Sequence, residues 1–303
     1  MTTVHHNSTF GDEERRTRQF AGDIFVHTAL PGVLSLVEFA REMIEDAFAP
    51  FDPREAQYHM PVGDWVARFA PVKPAFIHHP RTLGILRQAV EEAACDPDAT
   101  YIDVPRLRGV TSDGYLTSGV GYAHHPHRDT WYSAPMSQLN WWLPIYPFTA
   151  DSAMAFHPAY WSTKVANGSS EFNYYEWNAV GRKQAASQVG ADTRKQPRPT
   201  EPVALDPDLR IVCGVGDVIV FSAAHLHSTV ANTSGLGRFS IDFRTVNVDD
   251  LAANLGAPNI DSQPTGTSLR DFRRGSDLEP MPDDLVASYD QDEPIMGVAV
   301  FRP

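Results

Sequence analysis

Cysteine is nearly absent. Cys95 and Cys213 are the two in 303 residues. They show no CxxC or Cys/His spacing, which excludes a disulfide framework and a structural zinc site. Positive charge is scarce as well: 25 Lys and Arg stand against 38 Asp and Glu, a formal net charge of −13. Nucleic-acid binding needs clustered cations against phosphate, so no nucleic-acid partner is expected and a small-molecule substrate is. Long apolar runs are missing too. No window reaches the length that spans a bilayer, and the opening residues MTTVHHNSTFGDEERRTRQF carry no signal-peptide core. The expectation is a cytoplasmic protein without a membrane partner. There is no internal repeat. What remains is 42 % hydrophobic and 11 % aromatic residues, ample for a globular core.

The texture of the chain divides it within one domain spanning residues 1–303. Residues 1–20 are polar and read as a loose N-terminal arm. Residues 21–100 read as a helical flank. Val33, Leu36, Val37, Ala40, Ile44 and Ala47 recur at helical spacing, and Leu83, Leu86, Val90 and Ala93 do so between Pro80 and Ala94. From Tyr101 onward short Val, Ile, Trp, Tyr and Phe segments alternate with Gly, Pro, Asp and Asn, the pattern of antiparallel strands. Strands are expected at 115–123, 137–146, 152–157, 209–214, 217–222, 226–231 and 238–247. Their number and shortness predict a mainly β fold with flanking helices, a sandwich or jelly roll over residues 101–250. Residues 162–207 break this pattern and read as an insertion or lid. The extension 251–303, with Arg270, Arg273 and Arg274 and an apolar end at 295–301, either closes the site or pairs with another subunit, so a homo-oligomer stays open.

Metal chemistry is written into two segments. Residues i and i+2 of an extended strand share a face, so His127 and Asp129 can present an imidazole nitrogen and a carboxylate oxygen to one ion. The segment GDVIVFSAAHLHSTV supplies a distant histidine, His225 or His227. Two histidines and one carboxylate leave three positions of an octahedron free, which suits an iron oxygenase better than a closed structural site. Eleven residues past His227, Arg238 and Ser240 share a strand face and together can grip a carboxylate, as expected for the distal end of 2-oxoglutarate.

The series HRD-x-W, GDVIVFSAAHLHST and RFS, over roughly residues 115–247, resembles the phytanoyl-CoA dioxygenase-like branch of the Fe(II)/2-oxoglutarate oxygenases. That resemblance implies a double-stranded β-helix (jelly-roll, cupin-like) barrel. It selects His227 over His225, since only His227 has an arginine at the family's distance. It implies Fe(II), 2-oxoglutarate and dioxygen as cofactor and cosubstrates, with Trp142 and Gln138 beside the cosubstrate. Because Asp129 occupies the position that halogenating relatives leave to a small residue, it also implies hydroxylation rather than halogenation. His157 stands where many relatives have a Pro-Gly-Ser-His turn, so the substrate is not transferable from the family.

Further substrate candidates are Trp131 and Tyr132, which follow the ligand aspartate, His157, and Arg244, which shares the face of Arg238 and serves either a substrate carboxylate or a salt bridge. The expected activity is hydroxylation of an unactivated C–H bond of a small molecule with release of succinate and CO2. Desaturation, epoxidation and cyclisation use the same site. The alternatives are a cupin-type metal enzyme that does not use 2-oxoglutarate and a non-catalytic jelly-roll binding protein.

Overall fold

The computed structural model describes residues 2–121, 124–188 and 190–290. Along the chain run β1 (Val4–His6), α1 (Asp12–Phe20), β2 (Ile24–His27), α2 (Pro31–Phe48), α3 (Val62–Ile77), α4 (Pro80–Glu92), β3 (Thr100–Ile102), β4 (Arg106–Val110), β5 (Leu139–Pro144) and β6 (Met154–Phe156). There follow the one-turn α5 (Tyr174–Glu176), then β7 (Leu209–Arg210), β8 (Val218–Ser222), β9 (His227–Thr229), β10 (Arg238–Asn247), α6 (Val248–Ala252), β11 (Arg273–Arg274) and α7 (Asp283–Tyr289).

The strands form two sheets. The larger has the order β1-β2-β8-β5-β10-β3-β11, with β4 also on β10, and the smaller has the order β7-β6-β9. All pairings are antiparallel except β1 with β2, so the larger sheet is mixed. Among the described residues the ladders do not close into a barrel.

Period-two alternation explains the layers. Leu107 of β4, Leu139 and Leu143 of β5, Val218 and Val220 of β8 and Phe239, Ile241 and Phe243 of β10 turn to one face and pack on α2, α3 and α4. Each large side chain buried there contributes about 1.5–3 kcal/mol. On the other face Ile24, Val26, Trp142, Ile219 and Phe221 meet Met154 and Phe156 of the smaller sheet. The polar residues of β10, namely Arg238, Ser240, Asp242 and Arg244, also point to this inner space, where one cavity of about 400 Å³ opens.

Several expectations change. Of the strand expected at 115–123, the described part, 115–121, is not a strand: it follows positive φ at Asp113 and Gly114, has another at Gly119, and turns repeatedly. Residues 4–20 are no loose arm, because β1 adds to the sheet edge through β2 and α1 follows it. Helix α3 was unexpected; it carries Pro71 and Pro74 within it and buries Trp65, Phe69 and Phe76. Part of the extension packs on the β3 and β10 edge through Leu269, Phe272, Met281 and Val286, whereas its apolar end at 295–301 lies outside the described residues.

Candidate metal centre

Two backbone segments meet at the centre. His127 and His227 form an isolated antiparallel bridge, each amide donating to the other's carbonyl at 2.9 Å. This pairing sets the two imidazoles side by side, with ring centroids 4.4 Å apart. One residue beyond extended Arg128, Asp129 begins a single 3-10 turn, and its amide donates to Ala223 O at 3.0 Å. Its Oδ1 thus lies 3.3 Å from His127 Nε2 and 3.8 Å from His227 Nε2. The ligand atoms of the three residues fall within 4.8 Å of one another, and all three residues are buried.

The hydrogen bonds choose the tautomers. His127 Nδ1 donates to His125 O at 2.8 Å, and His227 Nδ1 donates to His225 O at 3.0 Å. Each Nε2 therefore carries a lone pair aimed at the centre, as a metal ligand requires. Burial, followed by the neighbouring His127, pulls His227 down to about 4, which keeps it neutral. Asp129 goes the other way. Burial alone would raise its carboxyl, but Arg244 and the two imidazoles hold it well below the usual range. Arg244 Nη2 and Nε donate to its Oδ2 at 3.1 and 3.3 Å, which leaves Oδ1 facing the histidines.

Around this centre the cavity wall includes Tyr132, Gln138, Asn140, Trp142, Arg238, Ser240 and Arg244. Arg238 is buried. Its Nη1 donates to Ser240 Oγ at 3.0 Å, its guanidinium lies 5.4 Å from the Trp142 ring centre, and its Nε has no partner. It makes no ion pair among the described residues. Burial lowers it to about 10, the mark of a cation without a matched anion. Gln138 Nε2 donates to Asn140 Oδ1 at 2.9 Å on the same wall. A carboxylate beside Arg238 would answer its unpartnered Nε, and an ion suits the three converging ligand atoms.

Two substrate candidates, Trp131 and His157, lie outside the cavity wall, and for Arg244 the structure shows the salt bridge. Trp131 is fully buried away from the cavity, against Val165 and Leu226, with its Nε1 donating to Asp261 Oδ1 at 2.7 Å. His157 also lies outside the lining, bonded to Leu205 O at 3.1 Å and Ser228 Oγ at 3.0 Å. Arg244 reaches the cavity but is held by Asp129, Asp103 and Asp242, so no free guanidinium is left for a substrate carboxylate. Tyr132 does line the cavity and meets the His127 ring edge-on at 5.6 Å. His225 is buried against Trp161, with ring centroids 4.5 Å apart, and does not face the centre.

Other residues were not anticipated. Asp261 ties the extension to the centre by pairing with Arg128 at 3.0 Å and accepting from the Val165 amide at 3.0 Å. No local signal marks it. Arg106, Arg108 and Asp242 also line the cavity, and the alternation in RLRGV and RFSID held that information. The insertion contributes Tyr174, Trp177, Arg182, Arg194 and Gln196 to the same wall.

No protein-family model matches the chain, and no curated protein matches it. Solved structures with similarity to it include EvdO2 from Micromonospora carbonacea var. aurantiaca complexed with 2-oxoglutarate, at 12 % identity over 79 % of this chain and 92 % of that one, with a TM-score of 0.43. The non-heme alpha ketoglutarate dependent epimerase SnoN from nogalamycin biosynthesis is 14 % identical over 90 % of this chain and 98 % of that one, with a TM-score of 0.37. The non-heme monooxygenase ThoJ in its apo form is 12 % identical over 86 % and 87 %, again with a TM-score of 0.37. Among the described residues no helix is long and apolar enough to cross a membrane.

Proposed function

We propose that this chain is an Fe(II)- and 2-oxoglutarate-dependent oxygenase of the phytanoyl-CoA dioxygenase-like kind, acting on a small molecule in the cytoplasm, with its two sheets as the walls of a double-stranded β-helix. The observation that carries the reading is the pairing of two unmet demands in one cavity. His127, Asp129 and His227 converge with both Nε2 lone pairs turned inward, and the buried Arg238 has Ser240 beside it and no carboxylate partner among the described residues. A metal centre alone does not explain Arg238, and an anion-binding protein does not explain the triad.

In this reading His127, Asp129 and His227 hold iron(II), and Arg238 with Ser240 holds the distal carboxylate of 2-oxoglutarate. Iron(II) and 2-oxoglutarate, when bound, supply the power to oxidise an unactivated C–H bond with dioxygen, giving succinate and CO2. The chain's own share is placement. Arg244 fixes the Asp129 carboxylate in its charged form, the Nδ1 bonds fix both imidazoles, and Trp142 walls the guanidinium of Arg238. Tyr132 and the insertion residues Tyr174 and Trp177 add aromatic surface to the cavity wall, which limits water there.

Succinate release and substrate consumption, both measured with a panel of small molecules, test the reading. Turnover that needs both Fe(II) and 2-oxoglutarate and is lost in Asp129→Ala supports it; metal-dependent turnover indifferent to 2-oxoglutarate transfers the site to the cupin-type reading.

A further inference from the structure

The cavity is charged against the trend of the chain. Cations crowd its wall although acidic residues outnumber basic ones overall. Most of these cations are matched. Arg106 pairs with Asp103 at 2.6 Å, Arg108 with Asp242 at 3.1 Å, Arg244 with Asp129 at 3.1 Å, Arg182 with Asp271 at 3.6 Å and Arg194 with Asp192 at 2.5 Å. Two lining cations have no carboxylate partner among the described residues, Arg238 and Lys73. The oxygenase reading gives Arg238 to the cosubstrate. Lys73 is left over.

Lys73 enters from a different element. It belongs to α3, whose Pro74 and Ile77, with His78 just beyond the helix, line the same cavity, and its ammonium lies 5.6 Å from the ring centre of Phe69 on its own helix. Half-buried, with Arg108 and Arg194 as neighbouring charges and Asp242 already engaged by Arg108 and Arg244, it meets a surplus of positive potential. Burial, then Arg108, draws its ammonium down to about 7, and a bound anion restores the charged form. The insertion supplies the rings of Trp177 and Tyr174 to the wall, held by Arg194 at 5.1 Å and Arg182 at 5.4 Å from their centres, and so adds aromatic surface for a ligand body.

We propose that Lys73 is the recognition cation for the substrate, which is an organic anion: a carboxylate or phosphate group pairs with Lys73 while its apolar or aromatic body lies along Trp177 and Tyr174 toward the triad. The assignment of the reacting end rests on the oxygenase reading; the anion site does not.

The test uses full-length protein loaded with Fe(II) and saturating 2-oxoglutarate without oxygen. Calorimetry follows the binding of a panel of small aromatic and aliphatic acids, each paired with its neutral primary amide, and of phenyl phosphate. Wild type is expected to bind at least one acid about tenfold or more tighter than its amide. Lys73→Met loses that preference, and Lys73→Arg keeps it. Preference for carboxylates over phenyl phosphate, or the reverse, identifies the anion. Equal binding of acids and amides, a preference that survives in Lys73→Met, or no acid bound at all overturns the proposal. The visible band of the 2-oxoglutarate chelate, read on the same samples beforehand, reports on the oxygenase reading separately. If the band is missing but Lys73-dependent acid binding persists, that reading fails and the anion site stands.

Discussion

Arg244 grips the outer oxygen of Asp129, Nη2 to Oδ2 at 3.1 Å, and so turns the inner oxygen, Oδ1, toward His127 Nε2 at 3.3 Å. The aspartate arrives from the segment after β4, the arginine from the far end of β10, and neither position has meaning without the other. A carboxylate held in this way is charged and aimed before any ligand binds.

Replacing Arg244 with Met is therefore expected to weaken metal binding by about 10- to 100-fold while His127 and His227 remain in place. Arg244→Lys keeps the charge but not the two-pronged grip, and falls between. Titration with Co(II), followed by its ligand-field spectrum, reads the effect. Unchanged affinity in Arg244→Met would mean that Asp129 needs no such support.

Arg238 acts on the cosubstrate and not on the metal. Arg238→Met should raise the dissociation constant for 2-oxoglutarate about tenfold or more and leave Co(II) affinity as in wild type. Loss of both together would place Arg238 in the structural framework rather than at an anion site.

Asp261 serves the architecture around the centre. It pairs with fully buried Arg128, accepts from Trp131 Nε1 and anchors the insertion at Val165. Asp261→Ala leaves that guanidinium uncompensated and is expected to cost about 3–5 kcal/mol in denaturant unfolding. It should also expose residues 162–207 to limited proteolysis. A variant as stable and as resistant as wild type would contradict the anchoring role.

How much of this was legible in the sequence follows from how local each signal is. Strand β10 spans residues 238–247 as expected, because polar and apolar residues alternate from Arg238 to Arg244 and leave one register. The triad was legible because ligand chemistry is carried by residue type, and because an extended Arg128 is enough to bring His127 and Asp129 to one side. Strands β1, β2 and β3 escaped notice, being at most four residues long and without a polar–apolar alternation, and β4 escaped it although Arg106, Leu107 and Arg108 alternate. Helix α3 was hidden by Pro71 and Pro74, which argue against a helix locally while Trp65, Phe69 and Phe76 pay for it through packing. Asp261 lies over 130 residues from the arginine it neutralises, and only the fold reveals the pair.

Stability should depend on pH through His27. This side chain of β2 is buried, its Nε2 has no partner, and burial, with Arg15 adding to it, lowers it from 6.5 to about 4. Between those values the unfolded chain binds the proton and the folded chain does not. The contribution is present above pH 6.5 and is lost as the pH falls toward 4, with a slope approaching about 1.4 kcal/mol per pH unit for one proton. His27→Gln should flatten the unfolding free energy of the apo protein across this window; an identical slope in wild type and variant would exclude His27 as its source.

The most direct measurement is anaerobic titration of the apo protein with Fe(II) and 2-oxoglutarate, following the weak visible charge-transfer band of the chelate, with Asp129→Ala alongside. The expected result is a saturable band in wild type that is absent from the variant. A folded wild-type protein that gives no band, or a band that persists without Asp129, would contradict an iron centre built from His127, Asp129 and His227.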